Sequence, residues 1–256
     1  MDKNIYKQII SKREFSELPE KDVELAFSHF EKRQVSDEEK VRLTRELLHK
    51  VFGAFGSKKL LNLKYKNPEW VLRKHLSTRE RFGFYEEIYE RILNGFERKV
   101  DVIDLGAGVN GFSYYYFKDK PGYIAIEAVG QWVDLMNSYF KKEKINGKAI
   151  HLSLFELKRI KEIIKRGKGK KIVFLFKILD ALEMLERDYS KKLLLEIIPL
   201  ADRIALSFST ESMIKRKKFR AERKWILNFI EENFRIRDDF EINGERFIVF
   251  SKKQNL

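Results

Sequence analysis

Two short runs carry most of the chemistry that the residue types suggest. Asp104-Leu105-Gly106-Ala107-Gly108 follows the aliphatic stretch Val100-Asp101-Val102-Ile103. Glycines directly after a strand let the backbone turn sharply and approach a bound ligand closely. Gly111 extends the run to Gly-x-Gly-x-x-Gly if Val109-Asn110 opens a helix, so the pattern alone leaves nicotinamide and flavin sites open. Glu127 closes the next strand-like run, Tyr123-Ile124-Ala125-Ile126. A carboxylate about 20 residues past the glycines can accept both hydroxyls of a ribose. The plain alternatives are a tight turn without a ligand and a surface glutamate at a strand end. The two motifs in this order weigh against both.

Asp104, an acid just before the glycines, shifts the reading toward S-adenosylmethionine, whose ammonium needs an anion or carbonyls nearby. A third run, His75-Leu76-Ser77-Thr78-Arg79-Glu80-Arg81, lies upstream. Its alternating hydroxyl, cationic and anionic groups make a poor core segment, and an arginine there can grip a ligand carboxylate in bidentate fashion. A helix start with Ser77 or Thr78 as N-cap and solvated charges accounts for the same residues. A fourth run, Lys215-Arg216-Lys217-Lys218-Phe219-Arg220 with Arg223 and Lys224, is densely basic. It suits phosphate contact, with Phe219 available to stack on a base; a solvated helix face is its bland alternative. Lys58, Lys59, Lys64, Lys66, Arg73 and Lys74 make a second, more dispersed basic set.

The elements that must position these residues follow from periodicity. Residues 1–74 read as helical: Val23, Phe27 and Phe30 recur at helical spacing, and Ser36 with Glu39 forms a capping box for a helix running through Val41, Leu47, Leu48 and Val51 to Gly53. Asn67-Pro68 is a break from which a short helix starts. From residue 100 strands alternate with helices: 100–105, 123–127, a weaker 149–152, 172–176 and 203–208. That alternation predicts a doubly wound parallel sheet. Two further runs, 234–242 and 245–251, meet at Asn243-Gly244, a strong hairpin signal. The expected fold is α/β, a class I Rossmann-like methyltransferase core closed by an antiparallel hairpin, with a helical accessory domain over 1–74 and the cofactor-binding domain over 75–256.

The motifs together resemble the aminoglycoside-resistance methyltransferases that modify guanine N7 in the decoding region of small-subunit ribosomal RNA. His-x-Ser-Thr-Arg-Glu-Arg at 75–81 is similar to that family's signature. Residues 102–110 look like its cofactor loop ending in Asn110. Phe174 to Glu183 is similar to its leucine-rich fourth strand with Lys177, and Arg203 to Ser212 looks like its Ser-Phe-Pro-Thr-Arg-Ser segment. The matches run in order over about residues 75–251. Ser209 stands where the family has proline, Glu211 where it has arginine, and Met213-Ile214-Lys215-Arg216 where it has Gly-Gly-Arg.

The resemblance implies S-adenosylmethionine as cofactor. Gly106, Ala107 and Gly108 are then expected beside its methionine part together with His75 and Asp104. Arg79 is assigned to its carboxylate, Glu127 with Ala128 to the ribose, and Ser153, Leu154 and Phe155 to the adenine. Lys177 faces the cofactor or the incoming base, while Phe208 and Ser209 shape the base pocket. Guanine N7 is a lone pair with no proton to remove, so no general base is required. The implied partner is structured RNA, with the two basic sets as its contact surface. Transfer RNA, a non-RNA substrate, and a non-catalytic RNA-binding module of the same fold are the competing expectations.

Composition is consistent with that partner. Among 256 residues, 53 are Lys or Arg and 39 Asp or Glu, a net charge of +14 that favours a polyanion. Richness in Lys, Glu and Arg with few Met also fits thermal adaptation. The absence of cysteine excludes disulfides, thiolate metal sites and a cysteine nucleophile. His29, His49, His75 and His151 lack metal-ligand spacing, so no metal is expected. No apolar run is long enough to span a membrane and no signal segment is evident. A cytoplasmic monomer is the default expectation.

Overall fold

Side chains alternate along the central strands between two separate apolar layers, and this alternation sorts the whole molecule. The computed structural model describes residues 1–61, 67–96, 100–167, 169–210 and 223–253. Seven strands form one sheet: β1 (Val100–Leu105), β2 (Tyr123–Glu127), β3 (Gly147–His151), β4 (Lys170–Phe176), β5 (Arg203–Ser209), β6 (Phe234–Ile242) and β7 (Glu245–Lys252). Their order is β3-β2-β1-β4-β5-β7-β6. The first five strands are parallel, and β7 runs antiparallel to both β5 and β6. The weak run expected at 149–152 is real, but its strand begins earlier, at Gly147.

Helices α1 (Lys3–Ile10), α2 (Glu20–Ser28), α3 (Asp37–Leu48), α4 (Pro68–Lys74), α5 (Leu76–Arg81) and α6 (Tyr85–Leu93) precede the sheet. Helices α7 (Gly130–Lys142), α8 (Leu157–Arg166), α9 (Leu179–Leu185), α10 (Tyr189–Ile197) and α11 (Lys224–Asn233) connect its strands. Val102, Phe174, Ala205 and Phe247 point into a cluster shared with α6, α7 and the N-terminal helices through Ile9, Val23, Leu48 and Val71. Ile103, Val173, Ile204 and Ile248 point the other way, against α8, α10 and α11. One-residue offsets choosing opposite layers is the period-2 geometry of a strand. Ile160 and Ile164, one helical turn apart in α8, supply the matching stripe.

Local signals set the element ends. Ser36 accepts from the Glu39 N–H at 3.3 Å as the N-cap of α3, and Asn67 accepts from the Trp70 N–H at 2.7 Å before Pro68. The α-helical hydrogen bonding of α3 stops at Leu48, and a wider π turn, His49–Gly53, carries the chain to the expected end. Neither Ser77 nor Thr78 caps α5. His75 is its N-cap without a side-chain bond, and the Thr78 hydroxyl instead donates to the Leu72 carbonyl at 2.6 Å.

Since β1 leads leftward to β2 and β3 while β4 and β5 lie to its right, the chain reverses direction between β1 and β4. Ligands of open α/β sheets bind outside the carboxyl ends of the strands at such a point. The β6–β7 turn places Asn243 at φ 49° and Gly244 at φ 74°. Gly244→Ala should therefore lower stability by about 1–2 kcal/mol, read as a shift of the urea midpoint. An unchanged midpoint would show that the turn relaxes into another type.

Candidate active site

At that reversal point lies a cavity of about 780 Å³, its mouth included. Asp104 and Gly106–Gly108 line it from the end of β1, Glu127 and Ala128 from the end of β2, and Phe176, Lys177 and Ile178 from the end of β4. Leu154 and Phe155 add an apolar wall after β3, and His75, Ser77, Thr78 and Arg81 close it from α5. The glycines are required by space as well as by conformation. Gly106 has φ 70°, and a Cβ there would lie 2.7 Å from the Ile178 side chain; Gly108 has φ 57°, with 2.9 Å to the His75 ring.

Glu127 is buried and turns its carboxylate back on the loop. Oε2 accepts from the Gly108 N–H at 2.7 Å and Oε1 from the Val129 N–H at 2.8 Å. A carboxylate has about four acceptor sites, so capacity remains toward the cavity. Burial raises its pKa to about 7 against the opposing pull of those N–H groups. Asp104 accepts from Asn110 Nδ2 at 2.8 Å and from the Tyr123 hydroxyl, both on Oδ2. Its pKa is raised by burial, with Tyr123, Asn110 and Arg81 opposing. His75 packs edge-on against Trp132 at 5.1 Å, and its Nδ1 is buried without a partner. Burial, then the nearby Arg81 and Lys177 charges, lowers its pKa to about 3, which keeps the ring neutral.

The guanidinium at the cavity belongs to Arg81, and the assignment of Arg79 is corrected. Arg79 is exposed and is absent from the wall, whereas Arg81 is buried within it. Residues two apart in a helix face nearly opposite ways; Thr78 and Arg81 share the inward face. Arg81 Nε lies 3.2 Å from both carboxylate oxygens of Glu245, and Nη1 donates to Asn110 Oδ1 at 3.0 Å. Nη2 takes part in none of these bonds. Lys177, at φ 55°, is paired too: Nζ bonds Glu80 and lies 3.1 Å from Glu245 Oε2.

Other expectations land elsewhere. Ser153 is buried behind the wall, where its Oγ accepts from the Phe155 N–H at 3.1 Å. Phe208 is packed in the second apolar layer, and the Ser209 carbonyl accepts from Arg223 Nη1 at 2.7 Å; neither lines the cavity among the described residues. Arg223, expected on the RNA-facing surface, is instead tied to Asp180 at 2.6 Å with its side chain 12% exposed. Its positive φ of 40° and this bond make it a clasp between α9 and the end of β5. Lys58 and Lys59 are exposed, as is Arg73, whose guanidinium lies 3.8 Å from the Phe82 ring; Lys74 is half-buried. Lys64, Lys66, Lys215, Arg216, Lys217, Lys218, Phe219 and Arg220 lie outside the described residues. Among the described residues no cluster of His, Asp and Glu could hold a metal, and no helix is long and apolar enough to cross a membrane.

Three residues have parts in the site that the sequence reading did not assign. Glu245 shares the strand phase of Phe247 and Val249, which marks it as buried and in need of a counter-charge. Asn110 joins Arg81 to Asp104. Asp22, in the first turn of α2, lines the cavity from the N-terminal helices and is 2% exposed. Its period matches Ala26, beside the Val23–Phe27 stripe. Its Oδ2 is buried without a partner. Burial raises its pKa to about 7; the Ser153 hydroxyl opposes the shift, and Glu127 and Glu156 add to it.

The chain superposes over 99% of its length on all of the 16S rRNA methyltransferase RmtF, solved with S-adenosyl-L-homocysteine, at 19% identity and TM-score 0.80. It is similarly like the 16S rRNA methylase RmtB (18% identity, 99% of this chain and 100% of that, TM-score 0.77). An rRNA methylase from Escherichia coli gives 18% identity, 98% and 100% coverage and TM-score 0.74. No protein-family model and no curated protein sequence matches the chain. These likenesses establish the fold, a Rossmann-like α/β core with a C-terminal antiparallel hairpin and a helical N-terminal region, which is the fold that the motif resemblance implies.

Two outcomes test the site's electrostatics. Arg81→Ala leaves the buried Glu245 with Lys177 and the Ser207 hydroxyl but without its guanidinium, and should destabilise the fold by about 1–3 kcal/mol, whereas Arg79→Ala should stay within about 0.5 kcal/mol. Equal losses in urea unfolding would refute the assignment. Asp22 and Glu127 hold protons in the folded state up to about pH 7 but lose them near pH 4 when unfolded. Their stabilisation is full below about pH 4 and lost as pH rises through 7. Asp22→Asn should therefore gain stability relative to wild type at pH 8 compared with pH 5; a pH-independent difference would show that Asp22 is ionised throughout.

Proposed function

We propose that this chain is an S-adenosylmethionine-dependent RNA methyltransferase acting on the small ribosomal subunit, with guanine N7 as the acceptor atom. One observation carries the reading: a single cavity gathers the glycine turn, the buried Glu127 carboxylate and the buried Arg81 guanidinium around an apolar wall. The residues fit the cofactor. The positive-φ glycines let the turn after β1 pass along the cavity, and Asp22, His75 and Trp132, which line it, each carry a buried polar atom without a partner.

Glu127 holds the ribose hydroxyls, Leu154 and Phe155 flank the adenine, and Arg81 takes the role expected of Arg79 at the methionine carboxylate. Asp104 and the Gly106–Gly108 backbone border the amino end. Bound there, S-adenosylmethionine supplies an electrophilic methyl group on a good leaving group. The protein's task is then proximity and orientation rather than proton removal. Lys177, held between Glu80 and Glu245, presents a fixed positive charge at the cavity wall. Residues 1–74 form the accessory part of the RNA surface, with Lys58, Lys59 and Arg73 exposed on it. The basic run at 215–220, which follows β5 in sequence, would add further cations for phosphate contact.

The test is incubation of small ribosomal subunits and bulk transfer RNA with methyl-labelled cofactor, followed by nucleoside analysis. Labelled 7-methylguanosine from the subunits is expected; label confined to transfer RNA or to another nucleoside overturns the acceptor assignment. Absence of label from every RNA overturns the RNA substrate. At pH 8, where Glu127 is ionised, Glu127→Ala should weaken S-adenosylhomocysteine by about 1.5–3 kcal/mol, the range for a hydrogen bond to a charged group. Unchanged affinity in calorimetry would remove Glu127 from the site.

A further inference from the structure

Asp22 is a carboxylate that the fold buries and leaves half unused. It comes from α2, far in sequence from every motif of the sheet. Its Oδ2 has no hydrogen-bond partner, although it is shut off from solvent and its residue lines the cavity. A buried acceptor left without a partner is costly, so the site is expected to receive a donor when a ligand enters. The neighbours decide which donor. Glu127 and Ser153 both act on the Asp22 carboxyl. Glu127 ends β2, and Ser153 follows β3 directly before the apolar wall of Leu154 and Phe155. Asp22 thus stands on the β3 side of Glu127, beside the wall that suits a flat, apolar ring face.

A nucleoside whose ribose is held at Glu127 extends its base along that wall. Adenine carries one donor group on its ring edge, the 6-amino group. We infer that Asp22 accepts a hydrogen bond from the 6-amino group of the cofactor's adenine and selects adenosyl over other nucleosidyl cofactors. The inference rests on the proposed S-adenosylmethionine reading. It makes the N-terminal helical region part of the cofactor site, because Asp22 reaches the base only while α2 is docked.

The experiment is calorimetric binding of S-adenosylhomocysteine and of its 6-desamino analogue, which has hydrogen in place of the amine. At pH 8, where Asp22 is ionised, wild type should prefer the adenosyl ligand by about tenfold to a hundredfold, the worth of a hydrogen bond to a charged group. In Asp22→Ala, and in the larger, apolar Asp22→Leu, which cannot accept a hydrogen bond, the two ligands should bind within about threefold of each other. The cycle isolates the pairwise contact, so a general loss of packing cannot imitate it. A preference that survives in the folded variants, or is missing in wild type, overturns the inference while leaving the cofactor reading intact. Failure of wild type to bind either ligand overturns the cofactor reading and the inference with it.

Discussion

The buried Glu245 carboxylate is the constraint around which the site is arranged. It is 1% exposed and meets two cations, Arg81 and Lys177, as well as the Ser207 hydroxyl. Removing such charges from water costs several kcal/mol per ion, recovered only when geometry and hydrogen bonds are good. Here three elements must therefore agree: α5 presents Arg81, the end of β4 presents Lys177 in a left-handed conformation, and β7 begins at the glutamate. The hairpin turn is pinned to the same place, since Asn243 Nδ2 donates to the Glu80 carbonyl at 2.6 Å. A C-terminal hairpin that carries none of the cofactor motifs thus sets where the guanidinium of an upstream motif stands.

From Glu245 the polar network runs on through Arg81, Asn110 and Asp104 to Tyr123, with Tyr85 donating to Asn110 Oδ1 at 3.0 Å. Each of these links is paired, and the low dielectric that makes an orphan costly also stiffens a satisfied network. The far wall behaves oppositely. Asp22 Oδ2, His75 Nδ1 and Trp132 Nε1 are buried and unpaired, and burial drives Glu127 and Asp22 toward neutrality. The cavity therefore has a rigid side that fixes geometry and an unsatisfied side that a polar ligand would complete. That asymmetry is what distinguishes a binding site from a packing defect, where both sides are apolar.

Much of the frame was legible because its signals are local. Strand period, the glycines after β1, Glu127 after β2 and Asn243-Gly244 each act within a few residues, and each stands where the spacing placed it. What the sequence hid were the partnerships across the fold. Arg79 and Arg81 are equally basic neighbours, and only helical phase relative to Thr78 separates them. Phe208 and Ser209 lie within a motif, but Phe208 packs into the second apolar layer and the Ser209 carbonyl is held by Arg223, itself paired with Asp180. Asp22 was invisible as a site residue because nothing near it in sequence announces a ligand; its meaning comes from Glu127 and Ser153, more than a hundred residues away.

The N-terminal helices are bound into this arrangement by packing as well as by charge. One apolar cluster runs unbroken from Ile9 and Phe15 through Leu48 and Val71 to Val102, Phe174 and Val249. It crosses residue 74, where the helical region gives way to the motif-bearing one. At that crossing His75 leaves its helical neighbours to bridge Gly56, and its ring fills the space over Gly108. Gln131, at the start of α7, donates to the Arg13 carbonyl at 3.1 Å, and Gly130 N–H donates to the Glu17 carbonyl at 3.2 Å. The loop after β2 that carries Glu127 is thus braced from outside by the N-terminal segment. The Glu127 carboxylate and the N-terminal helices therefore rest on one packed support, and loosening the contacts of Arg13 and Glu17 would be felt at the end of β2.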